Sequence, residues 1–170
     1  MRERILTAAL DQIAEGGYAS ASVAAVARRA GVATGSVYNH FPSKADLFAE
    51  VFRRAAQREV DAVAEAAGLA DAVEVFVRRA FRAPVRAYAL IAEPVDPAVE
   101  AERLRFRRAY ADLFAEMIGD DSGIVATALV GALAEALVGP LARRDAGEDA
   151  LVATLQSFCL SAIESRSPHV

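Results

Sequence analysis

Between residues 34 and 44 the chain reads Thr34-Gly35-Ser36-Val37-Tyr38-Asn39-His40-Phe41-Pro42-Ser43-Lys44, hydroxyls, an amide, an imidazole and an ammonium set around few apolar side chains. Groups of this kind recognise by hydrogen bonding. An asparagine can meet an adenine edge with two bonds, hydroxyls serve bases or phosphates, and a lysine meets phosphate as a point charge. Catalysis needs other groupings, and the sequence does not offer them. His40 and His169 are the two histidines and Cys159 the one cysteine, too few for a structural zinc site or an internal disulfide. No Ser-His-acid set, phosphate loop or dinucleotide fingerprint is present. The expectation is no enzyme, no metal and no cofactor.

The 170 residues, 18.0 kDa, fit one compact domain or a small domain fused to a helical body, and 55% hydrophobic content excludes a disordered chain. With only 10 Gly and 6 Pro and short β-branched runs, helix is expected nearly everywhere and sheet nowhere. The net charge of −4 is unevenly spread: residues 1–49 hold five basic and four acidic groups, residues 50–170 hold 14 and 19. Lys44 is the only lysine. The charged N-terminus offers no apolar export segment, so a cytoplasmic location is expected.

The elements that must position the polar run follow from apolar spacing. Ile5, Leu6, Ala9, Leu10 and Ile13 predict a helix over about 3–15, with Gly16-Gly17 as its stop. Ser22 is expected to cap a short helix from Val23 to Ala30, ended by Gly31. A third helix, Gly35 to His40, turns Val37 and Phe41 inward and leaves Ser36, Tyr38, Asn39 and His40 outward. Ser43 with Asp46 three residues on resembles a capping box at the start of a long fourth helix, about 44–66. Two short helices joined by a tight turn and braced by another make a helix-turn-helix, whose second helix enters the major groove of DNA.

Gly17-Tyr18, Ser22-Val23, Val26-Ala27, Ala30-Gly31-Val32 and above all Gly35 to Lys44 closely resemble the N-terminal domain of the tetracycline-repressor (TetR) family of transcriptional regulators. The resemblance covers about residues 5–51; beyond it only length and helical content match. It implies that Tyr38, His40 and Lys44 bind the phosphate backbone and that Ser22 touches a phosphate. On chemical grounds Thr34, Gly35, Ser36 and Asn39 are the candidate base-facing groups. The plainer alternatives are packing roles for Tyr38 and His40 and mere capping for Ser22 and Ser43. Ala21 and Ala33 depart from the family, which often has hydroxyl residues there; either Thr34 caps the third helix in place of Ala33 or that helix begins frayed. Arg28 and Arg29 read as a solvated face.

In the second part, Asp71 with Glu74 begins a helix whose stripe is Val73, Phe76, Val77, Ala80 and Phe81, with Arg78, Arg82 and Arg86 solvated on another face. Pro84 breaks or kinks it. After Pro94, Asp96 is expected to cap and Pro97 to open a helix running to Ile118. Its apolar face, Val99, Phe106, Tyr110, Leu113 and Met117, contains Arg103. A charge there needs a partner. Two readings stay open: an ion pair with Glu93, Glu102 or Glu135, or an acidic or polar ligand held by Arg103 among Phe76, Tyr88, Phe106 and Tyr110.

Residues 124–142 carry one charge, Glu135, and are long enough to span a membrane, but the central Glu135 and Pro140 argue against that. Burial on two sides, against the chain's own core and a partner, is expected instead. With a last helix at 148–165, holding Leu151, Val152, Leu155, Phe158, Cys159, Ala162 and Ile163, it would form a four-helix homodimer interface (about 122–142 and 148–165), as the resemblance also implies. Asp120 and Asp121 read as a cap, Arg143 and Arg144 as a dipole-matched end, Cys159 as a small core hydrophobe and His169 as part of a loose tail.

The expected architecture is therefore all-α with about nine helices: a helix-turn-helix domain, 1–46, joined by a long helix to a ligand-binding and dimerisation domain, 47–170. The expected function is a ligand-responsive regulator, most simply a repressor. It would bind a palindromic double-stranded DNA operator as a homodimer and be released by a small-molecule effector, with no membrane partner. The alternative is a non-DNA interaction module, or a helical small-molecule binder, with a degenerate reading head.

Overall fold

The structure, a computed structural model, describes residues 1–143 and 147–164, which are helical with no strand among them. The helices are α1 (Arg2–Ser20), α2 (Val23–Ala30), α3 (Thr34–His40), α4 (Lys44–Ala64), α5 (Leu69–Arg82), α6 (Pro84–Ile91), α7 (Pro97–Ile118), α8 (Ile124–Arg143) and α9 (Glu148–Glu164). The side chains of Arg143 and Arg144, Ser165 and the tail with His169 lie outside the described residues.

Most boundaries sit where local chemistry puts them. The Ser22 hydroxyl accepts from the Ala25 N–H at 3.2 Å, and Gly31, at φ 64°, closes α2 in the left-handed region. Ser43 accepts from the Asp46 N–H at 3.1 Å while its own hydroxyl donates to the Asp46 carboxylate. Asp120 accepts from the Val125 and Ala126 N–H groups at 2.9 and 3.0 Å, capping α8. Ala83 separates α5 from α6, with Pro84 at the first position of α6.

Three expectations need correction, and one open alternative closes. Gly16-Gly17 does not end α1: Gly17 takes φ 73° as a kink, and a further turn, 18–20, follows. That turn forms because Glu93, from the α6–α7 connection, accepts from the Tyr18 and Ala19 N–H groups at 2.7 and 2.9 Å. Thr34 does not take over the cap; α3 begins at Thr34 with no side-chain cap from Ala33. Asp96 does stand at the N-cap of α7 with Pro97 opening the helix, but its side chain makes no cap bond and accepts instead from the Tyr18 hydroxyl. Lastly, α5 starts at Leu69, before Asp71, whose carboxylate accepts from the Ala67 N–H at 2.9 Å.

Two apolar cores result. The first gathers Ile5, Ile13, Val26, Val37, Leu47, Phe48 and Phe52 from α1–α4 and includes Ala89, Leu90 and Val99 from α6 and α7. The second fills the body, from Val63 and Val73 through Phe114 to Leu137 and Cys159. The expected division after residue 46 falls in the first turn of α4, whose residues up to Ala55 belong to the head's core. α4 serves both cores, lying along α7, while α1 rests on α6. Cys159 is fully buried, and burial pushes its thiol up to about 11. One stripe of α8 (Ala126, Leu129, Leu133, Leu137, Leu141) is buried, although 18 residues of this helix are long and apolar enough to cross a membrane.

Candidate nucleic-acid interface and effector cavity

α3 is two turns long and fastened from below by Val37 and Phe41, which are 1% and 4% exposed. Because those anchors take the inward face, Thr34, Gly35, Tyr38, Asn39 and His40 emerge together in solvent, with Ser36 half-buried. Tyr38 is 47% exposed, a large aromatic ring in water rather than a packing residue. Ser22 is exposed at the start of α2, so both its hydroxyl and a helix N-terminus face outward. Lys44 is half-buried at the start of α4, its ammonium 4.5 Å above the Tyr18 ring and 5.9 Å from Phe48. That cation–π contact fixes where the chain's only lysine is held.

Arginines brace the surface. Arg4 donates to the carbonyls of Ala30 and Gly31 and so ties down the end of α2. Arg29 is paired with Glu15 at 2.8 Å, whereas Arg28 is exposed. Arg2 stacks over Phe41 at 5.1 Å and approaches Glu50 at 3.3 Å. Sequence reasoning singled out neither Arg2 nor Arg4; their partners are a ring and two carbonyls that only the fold brings near.

Arg103 is 6% exposed and finds its partners within the chain. Its Nε donates to the Leu90 carbonyl at 3.1 Å, Nη2 to the carbonyls of Ala89 (3.0 Å) and Glu93, and Nη1 to the Glu100 carboxylate at 2.5 Å. Burial lowers its pKa, against the pull of Glu100. The partner is thus Glu100, not Glu93, Glu102 or Glu135 through a carboxylate, and the guanidinium chiefly satisfies the carbonyls at the end of α6.

A cavity of about 30 Å³ lies between α4, α5, α6 and α7, lined by Phe76, Phe106 and Tyr110 with Leu90, Ile91 and a polar rim of Glu59, Arg79 and Arg86. Phe76, Phe106 and Tyr110 are therefore brought together around one cavity. Arg103 and Tyr88 are not among the lining residues; Tyr88 borders a separate surface groove with Gly17 and Glu93. The rim arginines are also not simply solvated, since Arg79 and Arg86 both reach Glu59, at 2.6 and 3.3 Å. Arg78 is bound by Glu74, Glu148 and Asp149, joining α5 to α9.

An outward two-turn helix on a braced three-helix head, joined to an all-helical body, is the arrangement of a helix-turn-helix. Residues 5–51 match the model of the tetR family of bacterial regulatory proteins. The HTH-type transcriptional repressor KstR of Mycolicibacterium smegmatis is 44% identical over 69 residues, which is 41% of this chain and 33% of that protein. The chain thus matches about a third of the length of such relatives. Over the whole fold, a tetR-family regulator from Streptomyces coelicolor superposes with TM-score 0.81 at 17% identity, covering 96% of this chain and 80% of the other. FadR from Bacillus subtilis, solved with stearoyl-CoA, gives 0.75 at 17%, covering 95% and 99%. The matched family and these relatives are transcriptional regulators, not enzymes.

Proposed function

We propose that this chain is a TetR-type transcriptional repressor in the bacterial cytoplasm that binds a palindromic operator as a homodimer and leaves it when a small molecule occupies the body. The exposed face of α3 carries this reading. Thr34, Gly35, Ser36 and Asn39 read base edges, while Ser22, Tyr38, His40 and Lys44 hold phosphates. The head, 1–46, reads; the body, 47–170, binds effector and pairs. That the mycobacterial relative is named a repressor, and that a protein of the same fold was solved with an acyl-CoA, supports both halves of the reading.

Pairing is supported by what α8 and α9 leave uncovered. Ile124, Ala128, Gly131 and Glu135 form one exposed face of α8, and Thr154, Ser157, Phe158 and Ser161 one of α9, with Ile124 72% and Phe158 49% exposed. Two-fold pairing would set two α3 helices on one face of the duplex, with half-sites about 34–36 Å apart or a multiple of that. An effector acts only through unequal affinity for the DNA-competent and DNA-incompetent conformers.

Selection of binding sites from a random DNA library tests this. The expected product is a palindrome, bound at least ten times more weakly by Asn39→Ala and Tyr38→Ala variants of unchanged thermal stability. A wild-type protein that enriches no sequence over competitor DNA would refute the reading.

A further inference from the structure

The rim of the body cavity carries an imbalance of charge. One carboxylate, Glu59, faces two guanidiniums: Arg79 Nε donates to Oε2 at 2.6 Å, and Arg86 Nη2 to Oε1 at the longer 3.3 Å. One negative charge between two positive ones leaves the rim net cationic. The other N–H groups of both arginines have no partner among the described residues. These side chains are largely shielded, with Glu59 14%, Arg86 28% and Arg79 32% exposed.

Tyr110 supplies an independent observation. It is 2% exposed, its ring held edge-on by Phe76 at 5.1 Å and Phe106 at 4.7 Å, and it lines the same cavity. Its hydroxyl has no hydrogen-bond partner among the described residues. No sealed-off side-chain oxygen or nitrogen among them lacks a partner, so this hydroxyl keeps contact with the cavity. Burial and the charge of Glu59 raise its pKa, while Arg79 opposes them, and it remains a neutral donor. A hydroxyl that opens onto the cavity can donate to an acceptor oxygen placed there.

We propose that this cavity receives a small apolar monocarboxylate, its hydrocarbon part against Phe76, Leu90, Ile91 and Phe106 and its carboxylate on Tyr110 and the spare donors of Arg86 and Arg79. The proposal deepens the effector reading above and rests on it. The net charge of the rim selects the class: an amine meets two guanidiniums, a neutral head leaves their donors without a charged acceptor, and a dianion exceeds the single uncompensated charge. Since the present volume is only about 30 Å³, binding requires the lining residues to move apart. Leu90, which would move, also packs in the head's core.

Calorimetric titration of the whole chain with hexanoate and phenylacetate, against their amides and the matching amines, decides the matter. Each acid is expected to bind at least tenfold more tightly than its amide, with the amine weaker still. Arg86→Met should bring the acid down to the level of the amide. Glu59→Gln, which frees both guanidiniums, should tighten the acid several-fold, a gain that a misfolded variant could not give. An amide equal to its acid, a preferred amine, no binding by any of these compounds, or weaker acid binding by Glu59→Gln would overturn the proposal. The same titrations run with library-selected DNA separate the two claims. An acid that binds without releasing DNA keeps the carboxylate assignment and refutes effector control; release by the neutral compounds alone does the reverse.

Discussion

Glu50 sits where three arginines converge, Arg53 and Arg54 along α4 and Arg2 from α1, and Arg54 extends the chain of charges to Glu3 at 2.7 Å. Burial works against its ionisation, but the hydrogen bonds from Arg53 and Arg54 outweigh it and hold Glu50 at about 2. A carboxyl depressed on folding adds stability above its unfolded pKa of about 4.3 and loses it as pH falls towards the folded value. Glu50→Gln should therefore lower the thermal midpoint by a constant amount above about pH 5, and the gap from wild type should close as pH falls to about 2. Melting curves across that range check it; a gap independent of pH would show that the charge is not what matters. This cluster was not legible in the sequence, because Arg2 and Glu50 belong to different helices and only packing makes them neighbours. The exposed set on α3 was legible, since seven residues with two apolar anchors leave little choice of which way the others point.

Elements whose ends are set by neighbouring residues were readable from the chain, and those finished from a distance were not. Ser22, Ser43, Gly31 and Asp120 act on groups within six residues of themselves. The last turn of α1 and the end of α6 depend on Glu93 and Arg103, whose partners lie 10 to 75 residues away. Arg103 is the sharper case: periodicity revealed a buried charge but could not reveal that backbone carbonyls would receive it. Arg103→Met should leave the carbonyls of Ala89, Leu90 and Glu93 without this donor and cost roughly 3 kcal/mol in urea unfolding. Arg103→Lys, with one compact head for several acceptors, should recover only part of that. A loss below about 1 kcal/mol for the Met variant would mean that water satisfies the end of α6 equally well.

For the molecule as a whole, the proposed pairing can be broken without touching the core. A Cβ built on Gly131 meets nothing within 4 Å, so the isolated chain should tolerate Gly131→Gln. Across a close helix contact the same change should clash, turning a dimer into a monomer in sedimentation at unchanged helical content; a dimer that persists would place the interface elsewhere. The two cores have a further meaning. The first is completed by Ala89, Leu90 and Val99, and the turn at Tyr18 is finished by Glu93 and Asp96, so the body contributes both grease and caps to the head. The N-terminal third is then no portable cassette. Grafted onto a foreign scaffold it would arrive with one wall missing and one helix end unstitched, unless the donor's residues 89 to 99 travelled with it.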